Sequence, residues 1–112
     1  MISETNIPAG LMEAAHAFIE SEVQPHIESY EVLVASLLEH DDKWIVGYQT
    51  RPALEGDWGK ALAGNQPFEV VLGEDGHAST RFIELGEAEE EPLREIILNA
   101  SGEVEEVIPS TE

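Results

Sequence analysis

Residues 44–76 read WIVGYQTRPALEGDWGKALAGNQPFEVVLGEDG, and the alternation at the two ends of this stretch decides the fold. Trp44, Val46 and Tyr48 alternate with Ile45, Gly47 and Gln49, while Phe68, Val70 and Leu72 alternate with Glu69 and Val71. A period of two is that of a β-strand with one face turned to a core. Between these strands, Arg51 to Gly64 carries glycines, a proline and mixed charge, and reads as a loop. Within it, GKALAGN (59–65) fits one helical turn closed by Gly64 or Asn65 in the left-handed conformation. The cluster GEDG (73–76) is a turn signal. Ala78, Thr80 and Phe82 then interleave with Ser79, Arg81 and Ile83 as the returning strand.

Working upstream, Val32 to Leu38 (VLVASLL) is a short, valine-containing apolar run. Its length predicts a strand covered on both faces and paired as a hairpin with 44–49 through the turn His40–Lys43, although EVLVASLLEH also carries some helical period. Leu11, Ala14, Ala15, Phe18 and Ile19 recur at helical spacing, with Glu13, His16, Glu20 and Ser21 mainly opposite. The spacing predicts an amphipathic helix over about 8–22, with Pro8 tolerated in its first turn and Pro25 ending it. Downstream, GEAEEEP (86–92) reads as a charged, solvated linker. Residues 93–108 fit a hairpin around the turn cluster NASGE or a helix through Leu93, Ile96, Ile97 and Ala100, and the hairpin is favoured. The sum is one α+β domain over 1–112, an N-terminal amphipathic helix on an antiparallel sheet of about four to six strands, with 1–6 and 109–112 as frayed ends. Phe18, Trp44, Tyr48, Phe68 and Phe82 are expected in the core, where each buried ring contributes about 1.5–3 kcal/mol.

Composition narrows the function. The 112 residues hold 24 Asp and Glu against 5 Lys and Arg, a formal net charge of −19. That field repels phosphate backbones and anionic lipid, so neither nucleic acid nor a membrane surface is an expected partner. It attracts basic proteins and speeds encounter with them by ~10–1000-fold at low salt. Cysteine is absent, which excludes disulfides, thiolate metal sites and a cysteine nucleophile, and suits a reducing cytoplasm. No run approaches the ~18 apolar residues of a membrane span, and the N-terminus lacks the basic and apolar regions of a signal peptide.

The search for catalytic chemistry finds little. Ser29, Ser36, Ser79 and Ser101 lie in no nucleophile elbow. His16 and Glu20 share a helix face but lack a third metal ligand, and ion pairing explains them better. His40, Asp41 and Asp42 are consecutive, so their side chains diverge, and His26 and His77 fall at element edges. Glu74, Asp75 and Gly76 lack the further ligands of a calcium loop. No phosphate loop or dinucleotide fingerprint is present. No enzyme activity, cofactor or metal is therefore expected. What remains is the loop with Arg51, Glu55, Asp57, Trp58 and Lys60. Its indole either folds back over the core edge or stands out as an interface anchor of the kind aromatic residues supply.

Trp44, Tyr48, Gly56, Asp57, the string Leu62-Ala63-Gly64-Asn65-x-Pro67, and Asp75-Gly76 together resemble the immunity protein 35 family, also called the YrhB domain. The match is dense over about a third of the chain, and the preceding helix and strand agree in order. The resemblance implies a small α+β fold encoded beside a polymorphic toxin, which the protein neutralises by binding. Its YrhB branch implies a chaperone-like alternative. Gly64, Asn65, Pro67 and Gly76 have structural readings within this motif: a tight reversal, a side chain-to-backbone bond and a fixed strand entry. The expected contact residues for a basic toxin are Arg51, Glu55, Asp57, Trp58 and the run Glu87, Glu89, Glu90 and Glu91, in a cytoplasmic protein.

Overall fold

The computed structural model describes residues 7–27, 30–61, 66–74, 77–83 and 92–109. Its elements are α1 (Ala9–Phe18), continued by a π-helical turn (Ile19–Val23) and a 3-10 turn (Gln24–His26), then β1 (Val32–Glu39), β2 (Trp44–Thr50), α2 (Arg51–Leu54), a 3-10 turn (Trp58–Lys60), β3 (Phe68–Leu72), β4 (Ala78–Phe82), β5 (Arg94–Leu98) and β6 (Val104–Pro109). The strands form one six-stranded sheet in the order β4-β3-β2-β1-β5-β6, and every neighbouring pair is antiparallel. The fold is α+β, with α1 lying against β4, β3 and β1.

The inward face follows from the register. Val34 stands opposite Tyr48, Leu37 opposite Val46 and Ile96, Trp44 opposite Val70, and Val46 opposite Phe68. These residues share one buried cluster with Leu11, Ala15, Ile19 and Val23 of the helical segment. Phe18 wedges its ring between Phe68 and Phe82, at centroid distances of 4.4 and 4.9 Å. Glu13, His16 and Glu20 are exposed.

Pro25 does not end the helical segment, because it occupies the first turn of the 3-10 piece, where its missing N–H is not needed. The intervening π turn has a packing reason. In an α-helix each step of four residues drifts about 40° around the axis. The wider turn at Ile19–Val23 reverses that drift and keeps Val23 on the sheet with Leu11, Ala15 and Ile19.

Strand β1 is also not covered equally on both faces. Its register shifts between Val34 and Ser36, so the inward set passes from Val32 and Val34 to Leu37, while Leu33 and Leu38 are half-buried. This bulge breaks the alternation and made the run look uniformly apolar. Gly47 sits opposite Ser36 at that point, and a Cβ there would approach the Ser36 hydroxyl to 2.5 Å.

Residues 51–60, expected as part of a plain loop, contain two short helical turns. The turn expected at 59–65 falls partly outside the described residues, and Gly64, Asn65, Gly76 and all of the linker 86–92 but Pro92 lie outside them. Residues 94–109 form the β5–β6 hairpin, with Pro109 inside β6 opposite Arg94 rather than in a frayed end.

Candidate functional site

The loop singled out in the sequence is a hydrogen-bonded knuckle at one end of the sheet. Thr50, the last residue of β2, is fully buried. Its hydroxyl accepts the Ala53 N–H at 3.2 Å, capping α2, and donates to the Lys60 carbonyl at 3.0 Å, tying down the far end of the knuckle. Pro52 stands in the first helical turn. The C-terminus closes with two reciprocal bonds, Gly56 N–H to the Ala53 carbonyl (3.1 Å) and Asp57 N–H to the Pro52 carbonyl (2.9 Å). This is a Schellman closure, and it requires the left-handed backbone of Gly56, φ 111°. The Lys60 N–H then returns to the Asp57 carbonyl at 3.0 Å, starting the next turn.

This backbone path leaves Trp58 64% exposed rather than folded over the core edge. Glu55 and Asp57 beside it are also exposed, and the Asp57 carboxylate lies 3.4 Å from Lys60 Nζ. Arg51 plays a different part. Its Nε donates to the Glu31 carboxylate at 2.7 Å and its Nη1 to the Ala100 carbonyl at 3.3 Å, so it braces the knuckle against the start of β1 and the β5–β6 turn. The bond to Glu31 and the charge behind it hold the guanidinium pKa above its ordinary value. Tyr48, whose hydroxyl donates to the Gln66 carbonyl at 2.7 Å, has its phenol pushed up by burial.

The knuckle's shape should depend on one backbone angle. No atom lies within 4 Å of a Cβ built on Gly56. Gly56→Ala therefore costs only the left-handed backbone, about 1–2 kcal/mol, and urea denaturation with an unchanged slope measures it. A neutral result would mean that the closure is not what holds Trp58 out.

The electrostatics are one-sided. All five Lys and Arg residues of the chain have a carboxylate within 4.0 Å: Lys43 and Arg81 share Glu69, Arg51 has Glu31, Lys60 has Asp57 and Arg94 has Glu39. The cations are thus engaged within the chain, and the field reaching solvent is that of the remaining carboxylates. At the opposite end of the sheet, the turn His40–Lys43 with Trp44 and Leu72 lines a shallow groove of about 230 Å³. Among the described residues no three His, Asp or Glu side chains are grouped to hold a metal ion. None of the described helices is long and apolar enough to cross a membrane.

Of the other expected contact residues, Glu87, Glu89, Glu90 and Glu91 lie outside the described residues. Of the motif residues, Pro67 enters β3 and accepts the Ile83 N–H at 3.1 Å, and Trp44 and Tyr48 are core. Sequence reasoning missed Thr50 and Glu31. The order Thr50-Arg51-Pro52 followed by Gly56 carried the start and stop signals of a short helix, but no local signal linked Arg51 to Glu31. No family model, curated protein or solved structure matches the chain.

Proposed function

We propose that this chain is a non-catalytic immunity protein that binds and neutralises a basic toxin, with the knuckle at Trp58 as the anchor of the contact. One observation carries the reading. A tryptophan is held 64% exposed on the 3-10 turn that follows the doubly capped α2 and is tied back to Thr50 through the Lys60 carbonyl, rimmed by Glu55 and Asp57, in a chain whose cations are all engaged. Holding an indole in water is unfavourable for the isolated domain, and aromatic residues of this kind are enriched among interface hot spots. The sequence resemblance of 44–76 to the immunity protein 35 family supports the same reading. The run Glu87, Glu89, Glu90 and Glu91 enters the proposal through its sequence and charge, and a cytoplasmic location through the absence of cysteine.

Co-expression with the protein of the adjacent reading frame tests it. The expected result is rescue from toxicity and a stable one-to-one complex. Because the contact is charge-complementary, affinity should fall at least about tenfold as salt rises from about 0.1 to 1 M. An adjacent frame that is harmless and does not copurify would end the proposal. Suppression of aggregation of several unrelated proteins, without a one-to-one complex, would replace it with the chaperone-like reading.

A further inference from the structure

The two edges of the sheet differ. On β6 and the turn before it, Glu103, Glu105 and Glu106 are exposed, Pro109 closes the strand, and its pairing with β5 shifts register between Ile97 and Leu98. Charges, proline and irregular pairing are the means by which sheets discourage an added strand. Strand β4 has no proline and no register shift, and its one charge, Arg81, is paired with Glu69. Residues 77–83, HASTRFI, contain no acid and no proline in a chain with 24 Asp and Glu. Its pairing with β3 runs from Phe68↔Phe82 to Leu72↔Ala78 without a shift. Ala78, Ser79 and Arg81 are exposed, and behind them Glu69 is flanked by both Lys43 and Arg81.

The ladder also fixes which main-chain groups face outward. Gly73 N–H donates to the His77 carbonyl at 2.7 Å and Ile83 N–H to the Pro67 carbonyl at 3.1 Å. In an antiparallel pair hydrogen-bonded residues alternate, so His77, Ser79, Arg81 and Ile83 address β3, and Ala78, Thr80 and Phe82 turn their N–H and C=O groups away.

We propose that a second copy of this chain docks on that edge, β4 against β4 in antiparallel register about Thr80. The outward set is symmetric about Thr80, as a two-fold contact requires. Ala78 of each copy then pairs with Phe82 of the other, and Ser79 faces Arg81. Main-chain bonds carry the contact, and the acid-free strand lets two highly acidic molecules meet without opposing carboxylates on the paired residues. A five-residue edge gives an area at the low end of specific interfaces, so the dimer is weak. Two copies of net charge −19 repel, so salt strengthens it, the reverse of what a basic toxin partner would show.

Sedimentation equilibrium of the full chain at about 0.15 and 1 M NaCl tests this. The wild type should dimerise with a Kd below about 1 mM and tighten at least about threefold at the higher salt. Thr80→Pro removes an outward N–H and no bond to β3, and should weaken association at least about tenfold with a native circular dichroism spectrum. The Ser79 variants report the register even if that variant does not fold. Ser79→Arg, facing Arg81 of the other copy, should weaken the dimer about fivefold, while Ser79→Glu should bind at least as tightly as wild type. Net charge alone would give the opposite order. A wild type that is monomeric at both salts, a folded Thr80→Pro that dimerises normally, or Ser79→Arg associating more tightly than Ser79→Glu would each overturn the proposal.

Discussion

Phe68→Ala is expected to lower the free energy of unfolding by about 3–5 kcal/mol, against a typical total of about 5–15 kcal/mol for a domain. The ring is fully buried on β3 between two neighbours, Phe18 of α1 at 4.4 Å and Tyr48 of β2 at 5.9 Å. Phe18 in turn meets Phe82 of β4 edge-on at 4.9 Å. The ring therefore ties the helix directly to β2 and, through Phe18, to β4, and deleting it leaves a cavity that the backbone of a strand paired on both sides cannot close. Urea denaturation followed by circular dichroism should show a lower midpoint with a similar slope. A loss below about 1 kcal/mol would mean that α1 does not depend on this cluster.

Trp58→Ala is expected to do the reverse: little to stability and much to binding. Its side chain is largely in solvent, so the unfolding free energy should stay within about 0.5 kcal/mol of wild type. Affinity for the proposed toxin partner should fall by about 2 kcal/mol or more, roughly 30-fold, measured by calorimetry on the purified pair. Comparison with Gly56→Ala separates contact from placement, since that variant keeps the indole and disturbs the turn presenting it. A Trp58→Ala protein that is strongly destabilised, or that binds as well as wild type, would exclude the knuckle as the anchor.

The two halves of the chain differ in how much their sequence disclosed. Strands β2, β3 and β4 were legible because Trp44-Val46-Tyr48, Phe68-Val70 and the turn GEDG obey a period of two with local punctuation. The hairpin at 94–109 was legible from NASGE, where the Asn99 side chain accepts the N–H groups of Ser101 and Glu103 at 2.9 and 3.0 Å. Strand β1 was found, but its bulge was not, because the one polar residue of VLVASLL at the point where the register slips, Ser36, is small and sits in strands without marking a break. The knuckle was found as a polar loop and its residues were named. Its internal order was missed because the signals Thr-x-Pro and Glu-Gly-Asp span only a single helical turn, too short for periodicity to register.

What the sequence alone determined is whatever depends on composition and near neighbours: the strong negative charge, the absence of cysteine chemistry, the strands with clean alternation and the turn residues between them. Tertiary structure decided the rest. It set β5 beside β1 rather than β4, turned Trp58 outward, and joined Arg51 to Glu31 across twenty residues of chain. It also left the two sheet edges unequal. Each of these depends on which distant segments meet, and a linear pattern records only which face a residue prefers, not what arrives to cover it.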